Sequence, residues 1–165
     1  MFEEITKEFI RTHKFVATFS TFKPTSRSFK LLPRGKNLPP SPNELQVELR
    51  TKFSEIMTTT FDSDYTKVEN KCYISKASMR KYLNGSRDIT MFAVARLCVG
   101  AHLPLEKASE LFKLCGHILS PKDFLLYAIV CDTINCGENI EDFYETTKQY
   151  GLDSLWKKFD KISLN

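Results

Sequence analysis

Between Ser75 and Arg87 the chain reads SKASMRKYLNGSR, a run whose polar residues suit noncovalent chemistry on a polyanion. Ser75 is a residue type that opens helices, because its hydroxyl accepts from a first-turn amide. That leaves the positive end of the helix pointing outward, where phosphate is favoured. Lys76, Ala77 and Ser78 fill the first turn with small or polar groups. Lys81 follows about one turn beyond Ala77, on the same side. Met79, Tyr82 and Leu83 have the spacing of an inward face, and Asn84-Gly85 is a stop signal. Asn84, Ser86 and Arg87 come next, placed to meet a sugar-phosphate backbone. A helix that is small at its leading end and cationic along its side fits the roughly 12 Å major groove of a duplex. Donors just beyond it would hold phosphates and fix register. The same cations also read as an ordinary solvated helix face, and Ala77 gains meaning only where a base or a thymine methyl approaches.

Other chemistry has little to build on. His13, His102 and His117 lie in separate contexts, with no H-E-x-x-H spacing and no carboxylate pattern to join them. No serine sits in a G-x-S-x-G setting, and no glycine-rich phosphate loop is present. The five cysteines, Cys72, Cys98, Cys115, Cys131 and Cys136, include no C-x-x-C pair and are odd in number. They read as small buried hydrophobes in a reducing compartment rather than as a disulfide or zinc framework. No enzymatic step, metal or cofactor is expected.

The net charge of +4 is modest, but it is unevenly spread. Residues 1–43 carry eight Lys/Arg against three Glu, and residues 71–96 carry six Lys/Arg against Asp88 alone. Residues 101–165 reverse this, with seven Lys/Arg against ten Asp/Glu. A basic front and an acidic back suit a polyanionic partner on one side. No run approaches the roughly 20 apolar residues of a membrane span. The first residues also lack the apolar block of a signal peptide, so the expected compartment is the cytoplasm.

Helix signals dominate the elements that must position these residues. The periodicity predicts a helix from Phe2 to about Lys14, then apolar residues Val16, Phe19 and Phe22 without a clear period. Residues 23–43 hold five of the seven prolines and no helical pattern, and Pro39-Pro40 favours extended structure. This arm reads in three ways: as a solvated linker, as a basic strand following phosphates through Arg27, Lys30, Arg34 and Lys36, or as a segment packed through Phe29, Leu31 and Leu32. Leu45, Leu49, Phe53 and Ile56 predict a helix over Glu44–Thr59. A short helix follows, capped by Asp62, Ser63 or Asp64, with Tyr65, Val68 and Cys72 inward. The Ser75 helix comes next, then Met91–Val99 and Pro104–Cys115. Ser120-Pro121 is expected to open an apolar helix over 122–135. Asn139 or Glu138 opens another, with its acids facing solvent, and Gly151 ends it. A last short helix would carry Leu152, Leu155, Trp156 and Phe159, with Trp156 as a packing plug or a dimer contact. Strand signals are confined to VATFSTF and SFKLL. The class is all-α, divided as 1–43, 44–116 and 117–165.

At this point ISKASMRKYLNGSR resembles the reading unit of the phage-repressor/Cro-like helix-turn-helix domains, the xenobiotic-response-element type. The shared pattern is an Ile, a Ser/Thr cap, a polar pair, an apolar residue, two polar residues, an apolar residue and a Gly-Lys/Arg turn. The resemblance covers about Glu44 to Cys115 and implies a five-helix bundle. The following segment is similar to the helical C-terminal extension of a bacterial subgroup, on Leu114, Cys115, Gly116, Leu119 and Ser120. Carried over, the resemblance implies base reading by Lys76, Ala77 and Lys81. It implies phosphate contacts by Ser75, Asn84, Ser86 and Arg87, with Arg80 beside them. Two positions depart from the pattern: Glu69 stands where a small Ala is usual, and Tyr73 where the second helix usually ends in Gly. Glu69 must turn outward or find a partner, and Tyr73 must take an unusual turn.

The expectation is therefore a sequence-specific regulator of double-stranded DNA, dimerising through its C-terminal helices. The alternative is a helical module that kept the fold, lost DNA and binds a protein.

Overall fold

The computed structural model describes residues 3–13 and 42–159. The described residues form helices and no strand. The strand signals, the arm at 23–41 with Arg27, Phe29, Lys30, Leu31, Leu32, Arg34 and Lys36, and the side chains of His13 and Phe159 lie outside the described residues. In chain order the helices are α1 (Glu4–His13), α2 (Pro42–Thr59), α3 (Tyr65–Cys72), α4 (Lys76–Asn84), α5 (Met91–Gly100), α6 (Leu105–Leu114), α7 (Leu125–Asn135), α8 (Ile140–Gln149) and α9 (Ser154–Phe159).

Helix α5 is the axis of the fold. Every residue from Met91 to Gly100 is buried, as expected of a helix that is apolar on all sides but for Arg96. Helices α3, α6, α7 and α8 all touch it. Thr90 opens it by accepting from the Ala93 amide at 3.1 Å. Its last residue lies hard against α3. A Cβ at Gly100 would sit 2.3 Å from the Lys71 carbonyl oxygen and 2.4 Å from Sγ of Cys72, so only glycine permits this approach.

Helix α2 lies across α4 and α6. Its fully buried row is Leu49, Phe53 and Met57. The sequence places the face on Leu45, Leu49, Phe53 and Ile56; Leu45 and Ile56 in fact sit half-buried at its edges. Of the three possible caps for α3, Asp64 is the one used, accepting from the Thr66 amide at 2.8 Å.

Helix α7 starts later than expected. Ser120-Pro121 does not cap it: residues 121–123 form a turn, and the helix begins at Leu125 with Phe124 in the cap position and no side-chain cap. Helix α8 opens with a reciprocal box, Asn139 accepting from the Asp142 amide at 3.0 Å and Asp142 from the Asn139 amide at 3.1 Å. Glu141 and Glu145 face solvent on it.

Helix α1 packs along α7. A buried carboxylate holds its leading end: Asp132 accepts from the Ile5 amide at 3.1 Å and from the Thr6 amide at 2.7 Å. Two orphan donors of a helix start are thereby paired with a charge of the favoured sign. Tyr150 adds a 2.5 Å hydrogen bond from its hydroxyl to Glu3.

Trp156 is interior, 4% exposed, and donates to Oγ1 of Thr147 at 2.9 Å. The rings of Tyr73, Phe92, Phe143 and Tyr144 meet it edge-on. Among the cysteines, Cys72, Cys98 and Cys131 are buried as expected and Cys115 is half-buried. Cys136 departs from the expectation. It follows the last turn of α7 and is exposed. No helix among the described residues is long and apolar enough to cross a membrane.

Candidate functional site

Helices α3 and α4 are joined by Tyr73, Ile74 and Ser75. Ile74 is fully buried, and with Met79 and Tyr82 it seats α4 on the body. Leu83 is only half-buried. Ser75 is extended, at φ −62° and ψ 150°, and its Oγ accepts from the Ser78 amide at 3.0 Å. That is the cap the sequence implies.

The two departures from the helix-turn-helix pattern are both resolved structurally. Tyr73 adopts the left-handed conformation that glycine usually takes there, at φ 54° and ψ 32°. Such a backbone costs a bulky residue energy unless its surroundings over-determine it. Here Arg96 of α5 donates from Nη1 to the Tyr73 carbonyl at 2.7 Å. The Tyr73 ring rests edge-on against Tyr144 and Trp156. Arg96 is itself 1% exposed, with its guanidinium over the Phe92 and Trp156 rings. Burial pulls its pKa down to about 10, which leaves it charged at neutral pH.

Glu69 finds a partner in the next helix. Its Oε2 accepts from the Lys76 amide at 3.1 Å. This corrects the expectation that the first amides of α4 are open to phosphate. The Lys76 and Ser78 amides are both taken by side chains of the protein. A carboxylate now stands at the positive end of α4, where the helix dipole favours it.

The outward side of α4 is open among the described residues. Ala77, Arg80 and Lys81 are exposed, while Ser75 and Lys76 are half-buried. Arg80 leans away from the row and places its guanidinium 4.9 Å from the Tyr65 ring centroid. That separates it from Lys81 and draws it toward the start of α3. Ala77 and Lys81, four residues apart, remain neighbours on one side.

The loop after α4 is tightly organised. Asn84 accepts from the Ser86 amide through Oδ1 at 2.8 Å, so its side chain closes the turn. Gly85 carries φ 81°, and the Arg50 guanidinium lies against it. Arg87 reaches back to donate from Nη1 to Oγ of Ser78 at 3.3 Å. It is thus brought beside the first turn of α4, and Ser86 stays exposed at the turn.

Three residues that organise the site, Gln46, Arg50 and Arg96, are not identifiable as such from the sequence. Gln46 of α2 meets the Ile89 backbone twice, accepting from its amide at 2.9 Å and donating to its carbonyl at 3.0 Å. One turn further, Arg50 donates from Nε to the Tyr82 carbonyl at 3.2 Å, covering an end of α4. Arg96 and Glu69 hold the turn and the start of the helix. Helix α2 carries many other polar residues, so nothing in its pattern singles out Gln46 and Arg50. Among the described residues no group of three or more His, Cys, Asp or Glu is placed to hold a metal. Compared with family models, with curated proteins and with solved structures, the chain matches none.

Proposed function

We propose that this protein is a sequence-specific regulator of double-stranded DNA that inserts α4 into the major groove. In this reading α2 to α6 form a repressor-like helix-turn-helix bundle, with α3 and α4 as its reading pair and α7 to α9 as the extension. Lys76, Ala77 and Lys81 face base edges. Ser75, Arg80, Asn84, Ser86 and Arg87 lie toward phosphates, and the C-terminal helices pair two copies in the cytoplasm. The observation that carries the reading is the exposed row of Ala77 and Lys81 on a capped helix, followed by a cross-braced loop that fixes Arg87 beside it. Bracing of this kind removes ordering cost at the moment of binding.

A gel-shift titration of the Lys76→Ala/Lys81→Ala variant against DNA selected from a genomic pool tests it. A lysine paired with guanine contributes about 1–3 kcal/mol of discrimination. Unchanged binding by the double variant removes α4 from the interface.

A second reading, a helical module that binds a protein and not DNA, draws on the acids. Glu69 stands at the start of α4, and Asp62 and Asp64 flank the start of α3. Both are ends where a duplex would bring phosphate. The two readings part on salt: duplex binding weakens steeply as counterions compete, whereas the second reading gives no retention on random duplex at low salt.

A further inference from the structure

A cleft of about 300 Å³ lies on the side of the molecule where the end of α3, the end of α5 and the start of α8 meet. Its wall carries both signs of charge. Lys71 lines it from α3 and Glu141 from α8, and His102 and Asn139 line it as well. Lys71, His102 and Glu141 are in no ion pair among the described residues. Gly100, which lies tight against Lys71 and Cys72 of α3, also lines it.

Two features mark this cleft out from a simple surface dip. Tyr73 and His102 both line it, and both are non-glycine residues with left-handed backbone, at φ 54° and 52°. Strain of this kind gathers where a protein clamps a ligand or switches. The charges, moreover, select the occupant. A simple anion would meet Glu141, and a simple cation would meet Lys71. A molecule bearing a carboxylate and an ammonium group is compensated at both ends. The volume lies at the lower end of the range of about 300–1,000 Å³ typical of small-molecule sites.

We propose that the cleft binds a small zwitterion of the α-amino-acid class, its carboxylate on Lys71 and His102 and its ammonium group on Glu141. Its side chain lies along the Tyr73 ring. Tyr73 starts the turn into α4, so the occupant sits against the residue that sets the angle of that helix. The bearing on α4 rests on the duplex reading; the binding does not.

The test uses the full chain without DNA. Each of the twenty free L-amino acids is added singly at 10 mM, and melting temperature and backbone amide spectra are recorded. Equimolar acetate plus methylammonium serves as the separated-charge control. At a hundredfold excess over Kd, the matching amino acid raises the melting temperature by roughly 5–10 °C. It also moves the Tyr73, His102 and Glu141 amides, and the control does neither. Lys71→Glu and Glu141→Lys each abolish the shift, and circular dichroism shows both still helical because the two side chains are exposed. No shift with any amino acid, a shift matched by the control, or a shift retained in both variants overturns the proposal.

Discussion

Gly100→Ala tests the packing on which the whole site depends. The sign of its effect is set by two opposed quantities. In an unobstructed helix, replacing glycine with alanine stabilises by roughly 1 kcal/mol. At Gly100 the new methyl would lie 2.3 Å from a carbonyl oxygen of α3 and 2.4 Å from Sγ of Cys72. Overpacking costs about 1–3 kcal/mol, and this case belongs at the top because backbone cannot rotate away as a side-chain tip can. The net effect is a loss of about 2 kcal/mol, or roughly 4–8 °C in melting temperature for a chain of this size. Thermal and urea unfolding followed by circular dichroism measure it. In a Cys72→Ala background the added loss should shrink, since one of the three obstructing atoms is gone, without vanishing, since the Lys71 carbonyl remains. An unchanged or raised melting temperature for Gly100→Ala would refute the close approach of α3 and α5, and with it the placement of the Tyr73 turn.

Asp132→Ala should cost about 2–4 kcal/mol, because it leaves the Ile5 and Thr6 amides without their charged acceptor; hydrogen exchange at those two amides should rise far more than at α5. Gln46→Ala should leave the fold intact by circular dichroism yet speed exchange at the Ile89 amide, and under the duplex reading weaken DNA binding with little change in sequence preference. Stability should fall in alkali. Burial pushes Cys131 up to about 11 and Cys115 up to about 12, against an ordinary thiol value of 9.0, and raises Cys72 and Cys98 as well. The unfolded chain therefore releases these protons first, so stability is intact below pH 9 and declines as pH rises toward the folded values, with Cys131 alone accounting for about 2–3 kcal/mol. A urea midpoint constant between pH 8 and 10.5 would contradict this. With a thiol reagent at pH 8, Cys136 should react first of the five, and uniform slow labelling would count against its exposed position.

Local signals in the sequence were a good guide wherever their physics was local. Ser75 caps and Gly85 terminates α4 because both act within one turn of themselves. Asn139 and Asp142 form their box for the same reason. Mainly apolar segments form the central helices, since α5 and most of α7 are buried on every side, Arg96 and Asp132 included. Serine followed by proline at 120–121 misled, because a competing turn over 121–123 used the same residues. The face of α2 was misplaced by a step, since Ile56 and Met57 are equally apolar and only packing chooses between them. Long-range polar contacts were not legible. Asp132 serves amides more than a hundred positions away, and Gln46 serves Ile89 across two intervening helices. At the candidate site, Glu69 and Tyr73 were visible as exceptions to a pattern. Their resolution needed Arg96, Trp156 and the start of α4 in three dimensions.

The cluster around Trp156 bears on the order in which a new chain can finish itself. Residues 42–116 emerge from the ribosome with Tyr73 already in place, yet without the rings from α8 and α9 that cover it. The bend between α3 and α4 therefore stays incomplete until synthesis reaches Trp156. A shortened chain lacking that residue should lose the ring that covers one edge of both Tyr73 and Phe92. The cover over the turn into α4 is thus completed only by α9, more than eighty residues further along the chain.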